Sequence, residues 1–184
     1  MTWRGTMMSG KQTVDALKRL ASEGPHAVSA LSWTDEGLKV IGVSTGSVDV
    51  RIDLTDLDRF SVALCELATT CHTAPVLDDA RAWLGDHAAA AIRSLGFLEE
   101  PLAVWELDGD EGVVQLRSSP PLREGDDVTY WEVVIRCDDR PSATIARYHW
   151  APGLPERERV IYPATFAQIG RMVAALEQAL TCEE

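Results

Sequence analysis

Asparagine is absent from this sequence, and lysine occurs only at Lys11, Lys18 and Lys39. A GC-rich genome, with its bias toward arginine and alanine codons, accounts for both. Scarce lysine also runs against the composition of hyperthermophile proteins. No apolar run approaches the ~20 residues of a membrane-spanning helix, and the opening MTWRGTMMSG has no apolar core of a secretory signal. The four cysteines, Cys65, Cys71, Cys137 and Cys182, include no C-x-x-C pair, so neither a disulfide scaffold nor a common zinc framework is announced. These absences place the chain in a reducing cytoplasm.

Positive charge is the other deficit. Seventeen Lys and Arg stand against 29 Asp and Glu, a formal net charge of −12. Polyanion binding needs clustered cations, so an extended nucleic-acid surface or an anionic membrane surface is excluded. The excess acid keeps the chain soluble, or offers an acidic face to a basic partner.

Catalytic signatures are missing as well. There is no G-x-S-x-G elbow, and Gly42–Gly46 lacks the P-loop lysine and the dinucleotide-binding spacing. Asp108, Asp110 and Glu111 lie around glycines without the twelve-residue calcium pattern. Cys65, Cys71 and His72 lack a second ligand pair for zinc. No catalytic residue, metal or cofactor is assigned.

What remains is an ordinary globular composition, 46% apolar and 25% charged over 184 residues, enough for a core without staples. Residues 1–8 read as a loose tail and 9–184 as one α+β domain, with a division near 72–76 as the alternative. The spacing predicts a helix over 11–23, then strands over 27–33, 38–44 and 48–54, the last alternating Val48, Val50, Ile52 and Leu54 with polar residues. A second helix is expected from Thr55, where Thr55 and Asp58 resemble a capping box and Leu57, Phe60, Leu64 and Leu67 make one stripe. Cys65, Cys71 and a capping His72 would belong to it. A third helical region covers 77–95, and Gly85-Asp86 is a candidate break.

The second half reads as strands over 102–107, 113–117, 128–137 and 142–150, with a short one at 159–162. A mobile loop is expected over 118–127. A final helix starts at Thr165, where Gln168 completes a capping box. Its apolar face is Phe166, Ile169, Met172, Val173, Leu176 and Leu180, with Arg171, Glu177 and Gln178 facing elsewhere. The stripe Leu57, Phe60, Leu64 and Leu67 matches Phe166, Ile169, Val173 and Leu176 at a fixed offset, raising an internal duplication.

One constellation carries recognition chemistry. Tyr130, Trp131, Arg136, Arg147, Tyr148, His149 and Trp150 put aromatics and cations on the two strands of one hairpin. Alternation sends Arg147 and His149 to one face and Ala146, Tyr148 and Trp150 to the other. Tyr130, Trp131, Arg147, Tyr148, His149 and Trp150 are therefore the candidate binding residues, because interfaces favour Tyr, Trp and Arg. In size, acidity and element order the chain is similar to bacterial effector chaperones and immunity proteins. The expectation is a non-enzymatic protein-binding module, compatible with a homodimer. A small-molecule or hydrolytic pocket between the sheet and the last helix is the alternative.

Overall fold

The computed structural model describes residues 6–28, 31–75 and 77–181. Its helices are α1 (Thr6–Glu23), α2 (Ala80–Ser94) and α3 (Phe166–Leu180). The strands are β1 (Leu31–Trp33), β2 (Lys39–Ser44), β3 (Val48–Leu57), β4 (Ser61–Cys71), β5 (Leu102–Asp108) and β6 (Val113–Ser118). They continue with β7 (Leu122–Glu124), β8 (Asp127–Arg136), β9 (Ser142–Trp150), β10 (Glu158–Val160) and β11 (Tyr162–Thr165). All pair antiparallel in one sheet whose main order is β1-β2-β3-β4-β9-β8-β6-β5. This is the α+β architecture that the alternating runs predict.

The middle of the sheet is forked. At one end β4 pairs with β9, from Glu66 opposite Ala146 to Thr70 opposite Ser142. At the other end the two strands part, and the segment after residue 157 fills the gap. There β10 pairs with β9 and β11 with β4. The short strand expected over 159–162 is thus two strands serving different neighbours.

One face of the sheet carries the helices, with α3 packed between α1 and α2. Leu67, Ile145, Val133, Val173 and Leu176 are fully buried between α3 and the sheet. The capping box of Thr165 and Gln168 is present. Gly10 of α1 meets Gly170 of α3 so closely that a Cβ on Gly10 would lie 2.3 Å from the Gly170 carbonyl oxygen.

That close crossing overturns one expectation. Glu177 does not face away: it is buried and accepts hydrogen bonds from Ser9 and Ser47, because α1 covers that side of α3. Helix α1 also begins at Thr6, inside the stretch read as tail; residues 1–5, like position 76 of the suggested division, lie outside the described residues.

The largest correction concerns residues 55–67, which form no helix. Strand β3 runs on to Leu57, Asp58 closes a tight turn by accepting from the Phe60 and Ser61 amides, and β4 follows. Phe60, assigned to a buried stripe, is exposed. His72 caps no helix; its Nε2 lies 2.9 Å from Asp49 Oδ1, and Cys65 and Cys71 lie on β4. The duplication fails with the helix, since Leu57 to Leu67 is a hairpin and Phe166 to Leu176 is helical.

Two further differences are smaller. The segment over 118–127 contains β7, and α2 passes through Gly85-Asp86 without a break. Its start is capped by Asp79, which accepts from the Arg81 and Ala82 amides.

On α2, His87 stacks on Trp83 at a centroid distance of 3.6 Å, and its Nδ1–H donates to the Trp83 carbonyl at 2.8 Å. Burial pushes the imidazole pKa below its ordinary value, against hydrogen bonds to the Trp83 and Leu180 carbonyls and the charge of Asp86. The folded state therefore favours the neutral ring. Its contribution is present above the unfolded pKa of about 6.5 and is lost as pH falls below it. His87→Gln is expected to flatten the fall in Tm between pH 7 and pH 5.5; an unchanged slope would show that the ring does not titrate in this range.

Candidate functional site

The β8–β9 hairpin forms in the expected place, with Tyr130 opposite Tyr148, Trp131 opposite Arg147, Thr129 opposite His149 and Val128 opposite Trp150. The period of two then divides the six candidate residues between two faces. Trp131, Arg147 and His149 point to the helix side. Tyr130, Tyr148 and Trp150 point to the open side.

On the helix side Arg147 is only 8% exposed. Its Nη2 and Nη1 donate to Glu100 at 2.8 and 3.2 Å, and Glu99 lies 3.6 Å away. The guanidinium sits 5.1 Å from the Trp131 ring centre and 5.8 Å from that of Tyr162. Trp131 donates its indole N–H to Glu99 at 3.0 Å, and the Tyr162 hydroxyl donates to the same carboxylate.

Burial raises the Glu99 pKa, yet the hydrogen bonds from Tyr162, its own amide and Trp131, with the charge of Arg147, outweigh it and hold the net value low. Burial, then the bond to Glu99, pushes the Tyr162 pKa up to about 12. The Arg147, Trp131 and Tyr162 side chains thus all converge on the two carboxylates. This cluster is a closed brace joining the loop before β5 to β8, β9 and β11. His149 stands apart from it, 3.2 Å from Asp127.

The open face carries a different arrangement. Register places Asp53, Glu66, Ala146, Glu132, Arg117 and Ala103 in one row across β3, β4, β9, β8, β6 and β5. Ala146 is small, and two arginines from the segment that fills the fork reach over the gap it leaves. Arg159 meets Glu66 at 3.0 Å, and Arg157 donates to Glu132 through both terminal nitrogens. Arg117 Nε donates to Glu132 at 2.9 Å. Glu132, 4% exposed, thus sits between two guanidinium groups. Arg157 also lies 4.1 Å from the Tyr148 ring centre, and Arg117 lies 4.7 Å from Trp105 and 5.3 Å from Tyr130.

Above these side chains opens a cleft of about 650 Å³. Its floor is Arg117, Tyr130 and Arg157, and its walls include Trp105, Arg123, Trp150 and Glu156. Trp105 is 65% exposed and Trp150 40%. A pair of arginines on one carboxylate, with a third arginine on the wall, makes the cleft locally cationic on an acidic protein. Aromatic walls over fixed guanidinium groups suit stacking and charge-assisted hydrogen bonding.

Of the candidate residues, Tyr130 and Trp150 line this cleft and Tyr148 lies beneath Arg157. Sequence reasoning missed Trp105, Arg117, Arg123, Glu132 and Arg157. Parity alone puts Tyr130 and Glu132 on one face of β8; the rest needed strand order. Among the described residues no group of three or more His, Cys, Asp or Glu is placed to hold a metal ion, and no helix is long and apolar enough to cross a membrane. No protein-family model, curated protein or solved structure matches this chain.

Proposed function

We propose that this chain is a non-enzymatic binding module that seats a segment of another polypeptide in the open-face cleft. One observation carries the reading: two exposed tryptophans, Trp105 and Trp150, wall a cleft floored by Arg117 and Arg157, both bonded to the Glu132 carboxylate buried beneath. The volume of about 650 Å³ suits a few side chains of a partner. Tyr, Trp and Arg are also the residues that dominate interface energetics. The helices leave this face uncovered. The alternative pocket between the sheet and α3 has less support, because the side chains there are packed together without exposure.

Native mass spectrometry of the protein isolated from its own cells, compared with Trp105→Ala and Trp150→Ala, tests the reading. Each variant is expected to weaken partner binding by about 2 kcal/mol or more. Because Trp105 is 65% exposed and Trp150 40%, neither belongs to the core, and Tm should move by less than about 2 °C. A homodimer would appear in the same spectra. Partner binding unchanged in both variants would sink the proposal, and so would a large fall in Tm at Trp150, which would make that ring part of the core.

A further inference from the structure

We infer that the cleft selects a polypeptide segment carrying one carboxylate beside an aromatic or large apolar residue, although the protein as a whole is strongly acidic. This rests on the binding reading above and adds the chemistry of the occupant.

Charge on the lining decides the sign. Arg117, Arg123 and Arg157 line the cleft with one carboxylate, Glu156, while Glu132 lies buried beneath, bonded to Arg117 and Arg157. The two oxygens of Glu132 are taken up by Arg157 and Arg117, so it has little capacity left for a basic ligand. Arg123 is exposed on β7, and its guanidinium has no hydrogen-bond or ion-pair partner among the described residues. It is the unspent cation of the site. A guanidinium offers five N–H donors and takes a carboxylate through two of them.

Geometry supplies the second requirement. Trp105 and Trp150 stand over the same space, and Val104 adds apolar wall. A side chain of aromatic or branched apolar type fills it, while its neighbouring carboxylate reaches Arg123.

The lining also limits how much acid the occupant carries. Glu156 is a carboxylate among the residues that line the cleft, so it opposes a run of acids while Arg123 is free to take one. An acidic segment at this cleft differs from the basic partner that the net charge of the whole chain suggests.

The test is selection of a random dodecapeptide display library on the immobilised full chain, with Trp105→Ala as the counter-selecting surface. Selected peptides, and versions with the acid changed to Asn or Lys, are then titrated into ¹⁵N-labelled protein while the arginine Nε–H signals are followed. Enrichment of Asp or Glu next to an aromatic residue is expected. So is about a tenfold weakening of those peptides by Arg123→Gln, with Asn versions indifferent to that change. Equal binding of the acid, Asn and Lys versions, still lost in Trp105→Ala, would overturn the carboxylate inference and leave the cleft reading standing. Preference for Lys would do the same. Peptides that bind Trp105→Ala as well as wild type, or no enrichment at all, would overturn both. Benzoate and phenyl phosphate serve as small-molecule arms. If either competes as strongly as the peptides themselves, the occupant is a free aryl anion and the polypeptide inference fails.

Discussion

Arg147→Ala is expected to lower Tm by roughly 10 °C. The side chain is nearly enclosed, and among the described residues it is the cation that pairs with the Glu99 and Glu100 carboxylates. Truncation strands Glu100 beside Glu99 without a counter-charge. Removing one partner of a buried pair costs about 3–5 kcal/mol, and 1 kcal/mol moves Tm by about 2–4 °C for a chain of this length. The stacking of the guanidinium between Trp131 and Tyr162 is lost as well.

The cause is separable from lost packing. Arg147→Met combined with Glu100→Gln keeps the volume and removes both charges, so it should recover much of the deficit. The deficit should also shrink at low pH. Glu99 has its folded pKa held below the ordinary value, so its stabilisation is present above the unfolded pKa near 4.3 and disappears as pH falls through the folded one. Calorimetric scans at pH 7 and at pH 3, well below the unfolded pKa, read both effects. A fall in Tm under about 3 °C for Arg147→Ala at pH 7 would mean that the carboxylates find other partners or water.

The second large effect is a change of sign. Gly10→Ala in an unconstrained helix should stabilise by about 1 kcal/mol, because alanine is the better helix former. Here the new methyl would stand 2.3 Å from the Gly170 carbonyl oxygen, where about 3.5 Å is needed. The obstacle is backbone, so α1 must lift away from α3. That movement loosens Val14 and Leu17 and stretches the buried hydrogen bond of 2.8 Å from Ser9 to Glu177. Overpacking costs typically 1–3 kcal/mol, and weakening a hydrogen bond to a buried carboxylate adds to it. A net loss of about 2–4 kcal/mol is expected, seen as an earlier midpoint in urea with m unchanged. A later midpoint would show that the two helices do not cross this closely.

The fold was partly legible because some residues announce their structure locally. Thr165 and Gln168 mark the start of α3, and the turn over 138–141 separates two strands of clean alternation. Residues 57–67 misled for a definable reason. The β3–β4 register shifts at Leu54 and again before Asp56, so Leu54 faces Leu64 while Asp53 faces Glu66. The bulge slips parity by one: Val62 and Leu64 point inward, and so do Leu67, Thr69 and Cys71. Apolar spacings of three and four then imitate a helix. Nothing in single-strand periodicity reveals a bulge.

The candidate site was legible only as far as parity reaches. Tyr130 and Trp150 stand at the cleft. Arg147 and Trp131 share their hairpin yet serve the opposite face, where carboxylates from the loop before β5 close over them. Trp105, Arg117 and Arg157 come from segments far apart in sequence, and Trp105 itself sits at a register shift of β5. Their meeting depends on the order of strands, which no local pattern encodes.

The forked sheet has a consequence for how the chain folds. Strand β4 borders β11, whose pairing residues such as Leu64 and Tyr162 are about 100 positions apart, and α1 rests on α3. The first four strands therefore have an open seam, and the first helix a bare flank, until residues beyond 157 arrive. Such distant closure is slow. During that interval the seam is a strand edge open to other chains, so refolding yield should fall as protein concentration rises.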